Sequence, residues 1–128
     1  MSTPFDPKIL TRQTNADLSS SEFLLVKPNG DDDIDVISVS GQLAIGALTN
    51  DVADGSGSNT AYLPVQVGGI IKVACGDSIT AGVLAMSNGD GQAVTATDGN
   101  YAFGIALESH VSGDVGAFLW APSYLETT

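Results

Sequence analysis

The 128-residue sequence has one cysteine, one histidine and four Lys/Arg against fifteen Asp/Glu. A lone thiol excludes an internal disulfide, and a thiol plus one imidazole does not make a zinc site. Lys72 is the last cation, and the 56 residues after it hold six carboxylates and no Lys or Arg. A formal net charge of −11 repels phosphate and anionic lipid, so neither nucleic acid nor a membrane surface is an expected partner. No apolar run approaches the roughly 18–20 residues of a membrane-spanning helix. Residues 1–7 (MSTPFDP) lack a basic stretch followed by an apolar one, so no signal peptide is read, and the chain is expected to be made in a cytosol and stay soluble. Long helices are also disfavoured, because few segments combine good helix formers over three turns.

What is present is apolar and finely punctuated. Leu, Ile, Val and Phe make up 34 of 128 residues, enough for a folded chain of single-domain size. Turn signals recur at Pro28-Asn29-Gly30-Asp31, Asp54-Gly55-Ser56-Gly57-Ser58-Asn59, Asn88-Gly89-Asp90-Gly91 and Asp98-Gly99-Asn100. Between them lie eight β-rich runs: 22–27, 34–40, 42–48, 61–67, 70–75, 93–97, 101–107 and 115–120. Val65-Gln66-Val67 and the 71–75 run alternate as a strand with one buried face does. Gly68-Gly69 marks a bulge or tight corner. Short strands at this spacing predict an all-β fold, a small sandwich or barrel of about eight strands. Residues 1–16, with two prolines and scattered apolar side chains, read as an extended N-terminal arm, either frayed or ordered against a neighbour. Residues 17–128 read as a single β domain.

The chain also echoes itself. Asn29-Gly30-Asp31 returns as Asn88-Gly89-Asp90, the 43–48 run as the 101–107 run, and Ala61-Tyr62-Leu63 as Ala117-Phe118-Leu119. Two similar β-motifs packed together account for this, as does chance likeness between Gly-rich strands.

Residues that carry chemistry do not assemble into a site. Asp31, Asp33 and Asp35 begin like a calcium loop, but Val36 stands where the sharp turn needs Gly and Gln42 where a bidentate Glu should close the shell. A solvated acidic hairpin tip fits better. Gly89-Asp90-Gly91-Gln92 lacks the third glycine and the lysine of a phosphate cradle. His110 is the sole candidate base, read as a loop histidine facing water, and no Gly-x-Ser-x-Gly elbow accompanies it. Cys75 reads as a buried, inert thiol. Tyr101, Phe103, Phe118 and Trp120 read as core aromatics, with an exposed stacking platform the alternative. No catalytic, metal or cofactor residue is assigned, and no enzyme activity is expected.

From Gly69 to Trp120 an ordered series runs: Gly69-Ile70-Ile71-Lys72-Val73-Ala74, Ile79-Thr80-Ala81-Gly82, Asp90-Gly91-Gln92-Ala93, Tyr101-Ala102-Phe103-Gly104-Ile105-Ala106-Leu107-Glu108, then Gly113-Asp114 and a closing strand. This series resembles the capsid decoration (head cement) proteins of tailed bacteriophages over the C-terminal half, with a weaker echo over 42–67. It departs from their pattern at Val83, where the family carries an acidic residue. The resemblance implies a non-catalytic virion structural protein, made in the host cytoplasm and displayed on the outer capsid surface. Its partners would be the major capsid protein and itself, as a homotrimer. Within the arm, Phe5, Lys8, Ile9, Leu10 and Arg12 are the candidate capsid or inter-subunit contacts. The other reading is a tail-fibre or carbohydrate-binding β module.

Overall fold

A computed structural model describes residues 8–30, 33–56 and 60–126, and in these it contains ten strands and no helix. Five strands, β1 (Lys8–Thr14), β2 (Leu25–Asn29), β3 (Asp33–Val36), β4 (Gly46–Leu48) and β5 (Ala61–Gly68), close a small barrel in the order β1-β3-β2-β4-β5. The next five, β6 (Ile70–Ala74), β7 (Leu84–Ser87), β8 (Ala93–Thr95), β9 (Tyr101–Ala106) and β10 (Val115–Tyr124), form a sheet in the order β6-β10-β9-β7-β8. The all-β expectation holds, and each of the eight expected runs overlaps a strand.

The second five strands repeat the first. Strand β5 lies between β1 and β4, and β10 lies likewise between β6 and β9. Strand β2 joins β4 to β3 just as β7 joins β9 to β8. The parallel contact of Gln13 with Asp33 that closes the barrel returns as a parallel bridge between Cys75 and Ala93. The bridge of Asp17 to Asp54 returns as Ile79 to His110. The echoes at 29–30 and 43–48 therefore reflect an architectural duplication, whereas the echo of Ala61-Tyr62-Leu63 in Ala117-Phe118-Leu119 is out of register, Ala117 answering to Pro64.

Two strands were not foreseen. Lys8–Thr14 falls within the segment read as an arm; it is extended, but it pairs along its whole length with β5 and is a wall of the barrel. Its first four residues are exposed on both faces, so Ile9 and Leu10 sit side by side without the alternation that marks a strand. Strand β7 has only four residues, Leu-Ala-Met-Ser, too short and too rich in helix formers to signal itself.

Strand registers equate positions in the two motifs and show how each core is filled. Val26, Ile34 and Leu48 surround Val65 in the barrel; their counterparts Ala85, Ala93 and Ala106 surround Phe118. All eight are fully buried. Three aliphatic side chains shrink to alanine and a valine grows to phenylalanine, a net loss of volume that side chains from outside the second motif must fill. Gly46 and Gly104 occupy equivalent positions and face the same obstacle. A Cβ on Gly46 would lie 2.3 Å from the Gln66 carbonyl oxygen, and one on Gly104 would lie 2.2 Å from that of Leu119.

The motifs are not independent. The second core is completed by Leu25 and Ala47 from the outer wall of the barrel and by Ile37 and Ala44 from the segment between β3 and β4, packed with Ile71, Val73, Phe103 and Phe118. At the junction, buried Gln66 takes the place of a strand pairing. Its Nε2 donates to the carbonyls of Leu48 (3.1 Å) and Lys72 (3.3 Å), and its Oε1 accepts from the Lys72 N–H (3.1 Å). Main-chain bonds reinforce it: Leu25 N–H to Gly91 O (2.7 Å), Ala74 N–H to Phe23 O (2.9 Å) and Gly41 N–H to Ser87 O (2.8 Å). Phe23 is the one described non-glycine residue with left-handed backbone (φ 61°), a conformation held in place by these contacts.

Replacing Gln66 with leucine removes both ends of this latch and leaves the Lys72 N–H without its acceptor. A loss of about 1–3 kcal/mol is expected from the urea midpoint, and an unchanged midpoint would contradict the latch. Gly104→Ala must displace the β10 backbone and is expected to cost about 1–3 kcal/mol in the same measurement.

Candidate functional site

The residues singled out for contact lie on β1. Lys8, Ile9 and Leu10 are exposed and Arg12 is half-buried, while Phe5 is outside the described residues. They stand on the barrel wall in register with Gly68, Gln66, Val65 and Leu63 of β5. Lys8 and Arg12 therefore present positive charge from a fixed strand.

The acidic tip is built differently from a cation loop. Asp31 and Asp32 are outside the described residues. Asp33 accepts hydrogen bonds from Gln13 Nε2 (2.7 Å) and Asn15 Nδ2 (2.5 Å), tying β3 to β1, and Asp35 Oδ1 accepts from the Val36 N–H (2.8 Å). No cluster of His, Cys, Asp or Glu among the described residues has the geometry to hold a metal ion. The other aspartates also organise turns. Asp17 Oδ1 accepts from the Ser19 amide and hydroxyl, Asp77 Oδ1 from the Ser78 amide, and Asp114 Oδ2 from the Val111 amide. Asp54 accepts from the Ser56 hydroxyl and amide, and these two donors hold its carboxyl below the usual carboxylate range. In the Gly89-Asp90-Gly91-Gln92 turn, Asn88 Oδ1 takes the amides of Asp90 (2.9 Å) and Gln92 (3.0 Å), so those donors are already engaged within the chain.

His110 is not a water-facing residue. Its side chain is 11% exposed, with Nδ1 3.5 Å from Asp114 Oδ2 and Nε2 3.7 Å from Glu108 Oε1. Its ring fills the space above Gly116, where a Cβ would lie 2.4 Å from Cδ2, and it faces Phe118 at 6.4 Å between centroids. Its backbone exchanges two hydrogen bonds with Ile79 (2.9 Å each), which pull the ring inward. A wedge between two turns accounts for this histidine. Its Nε2 has no hydrogen-bond partner, so no hydroxyl nucleophile stands bonded to it.

Cys75 is fully buried, as expected, and burial pushes its thiol up from the ordinary value. Phe103 and Phe118 are core, in edge contact at 5.1 Å, with Trp120 half-buried beside them at 6.4 Å. Of the four aromatics considered, Tyr101 is the one exposed, paired with Tyr124 at 4.9 Å.

The feature that residue-by-residue reading missed is a distribution. Strands β6 to β10 contain one charged residue, Lys72, and no carboxylate. Asp77, Asp90, Asp98, Glu108 and Asp114 all lie in the turns between them. Alternation along single strands hid this, because apolar residues face both sides of the sheet.

No protein-family model matches the chain, and no curated protein matches it. Among solved structures, it is similar to the N base of the head fibre gp8.5 of bacteriophage phi29. The TM-score is 0.68 at 20% identity, over 94% of this chain and 100% of that one. The likeness at this identity is one of fold, and it extends over nearly the whole molecule.

With its thiol enclosed, Cys75 is expected to resist a water-soluble thiol reagent in the folded protein and to react fully in denaturant. Native-state labelling at the rate of a free thiol would contradict the burial.

Proposed function

We propose that the chain is a non-catalytic structural protein of a phage head, bound to the outer surface of the shell and cementing it. The observation that carries this reading is the fold shared end to end with the base of a phage head fibre. The ordered turn series from Gly69 to Trp120 supports it independently of the coordinates. Two further features agree. Of the titratable residues that sequence reading weighed for chemistry, Asp33 and Asp35 serve as backbone and strand ties, His110 as a wedge and Cys75 as a core thiol. A surface rich in carboxylates disfavours contact with packaged nucleic acid.

In this reading the partner is the major capsid protein, and the chain acts as a homo-oligomer, with a trimer the expected state. Cementing needs no chemistry. A protein that binds the assembled shell and not its dissociated subunits stabilises the shell by linkage, by about 2.7 kcal/mol per site at a hundredfold excess over Kd. Many symmetric sites and several subunits then add avidity. Lys8, Ile9, Leu10 and Arg12, now on a barrel strand, remain the proposed contact together with Phe5, which lies outside the described residues.

The barrel changes how that contact is tested. Deleting residues 2–14 would remove a barrel strand, so a loss of binding by that variant would report unfolding. The informative variant is Lys8→Glu with Ile9→Asp. Wild-type protein mixed with purified expanded heads is expected to co-sediment saturably and raise the temperature at which the heads release DNA. The double variant is expected to bind at least tenfold more weakly with an unchanged thermal melt. Failure of wild type to bind heads, or its location on the tail by electron microscopy, would overturn the reading in favour of a fibre module.

A further inference from the structure

The duplication gives every position of one motif a counterpart in the other, including positions on the outer walls. On the barrel, one row crosses four strands in register: Ile9 to Gln66, Gln66 to Ala47, and Ala47 to Leu25. The second motif has the matching row: Ile70 to Leu119, Leu119 to Ile105, and Ile105 to Leu84. In the barrel three of the four positions, Gln66, Ala47 and Leu25, form an interface, while Ile9 stays 51% exposed. Leu25 and Ala47 are 0% exposed because the second motif packs on them, and Gln66 is hydrogen-bonded to the backbone of Lys72.

In the second motif the row is more apolar and less covered. Leucine 119 replaces the glutamine and isoleucine 105 replaces the alanine. Leu119 is 41% exposed, while Ile70, Leu84 and Ile105 are half-buried; Leu107 and Val115 on the same side are exposed at 45% and 44%. No carboxylate lies on any strand of this sheet, and its single charge, Lys72, sits opposite Ala117, two residues off the row.

We propose that this row is an interface between copies of this chain. It deepens the head-protein reading by naming the surface through which subunits meet, and it is measured in solution without heads. Three observations favour a second copy as occupant. The position is one at which this fold already builds an interface within the chain. The substitution of leucine for glutamine removes the polar latch and leaves a surface that another apolar surface satisfies. Finally, copies with charge −11 repel one another, so they meet at least cost on the face whose strands are free of carboxylates. Lys72 can extend past such a contact to water.

The experiment is mass measurement by light scattering and sedimentation on the full chain, with three variants. Wild type is expected at a multiple of 13.0 kDa. Leu119→Glu is expected to fall to the single-chain mass with an unchanged circular-dichroism melt, as is Leu107→Glu, which serves if the first does not fold. Tyr62→Glu, on the barrel wall and 67% exposed, is expected to keep the wild-type mass. A monomeric wild type at hundred-micromolar concentration would overturn the proposal, whatever the protein does with heads. So would an unchanged oligomer in both leucine variants, or dissociation by Tyr62→Glu alone. If wild type is monomeric and Leu119→Glu abolishes head binding, the face belongs to a shell protein; self-association is then refuted and the head reading survives.

Discussion

The rest of the structure depends on how the wall of the barrel is covered. Leu25 and Ala47 point outward from a closed barrel, where water would meet them in an isolated motif. Here they complete the core around Phe118 and Phe103. Strand β6 has five residues where β1 has seven, and its sheet ends at β6 and β8 without closing into a barrel. The second motif is thus a barrel left ajar, and side chains from the first close it. Gln66 supplies the polar part of the same junction with one carboxamide that hydrogen-bonds three main-chain groups of β4 and β6. The duplication is asymmetric for this reason: the first motif fills itself, and the second is filled partly by the first.

This asymmetry explains the residue exchange in the two cores. Alanine at 85, 93 and 106 makes room for Phe118 and for the intruding wall, whereas Val26, Ile34 and Leu48 leave no such room around Val65. A glycine is nevertheless needed at both 46 and 104, because the close backbone approach belongs to the shared strand plan and not to the packing.

Much of this was legible in the sequence, and the part that was not has physical causes. Turn chemistry fixed the strand spacing, because Asp, Asn and Gly at 29–30, 54–55, 88–91 and 98–100 do locally what their side chains allow. The repeat was legible for the same reason, through Asn29-Gly30 and Asn88-Gly89. Strand β1 was not, because hydrogen bonding to β5 is non-local and its exposed half carries no alternation. The seating of His110 was not legible either. Its burial arises from a gap over Gly116 and from pairing with Ile79, 31 positions away in the chain. The candidate contacts on β1 were named from composition alone, and composition could not say that they stand on a barrel wall.

The acidity follows from the same turns. Asp17, Asp54, Asp77 and Asp114 each close a turn by accepting main-chain or serine hydrogen bonds, a task that needs a short side chain with an acceptor. Motifs rich in such turns therefore accumulate aspartate between their strands, while the strands of the second motif carry one lysine and no carboxylate. The charge is thereby sorted by position: anionic tips, a cationic β1 and a second sheet bearing one lysine. Tips of that charge keep copies and nucleic acid at a distance, and screening confines the repulsion to roughly 8–10 Å at ordinary salt. Surfaces that must meet a partner are then left to the strands. In this molecule the strands offer two such walls, β1 with its cations and the apolar outer row through Leu119. The two proposed contacts, one with a shell and one with a second copy, would call for surfaces of different chemistry, and the turn-driven sorting of charge supplies two.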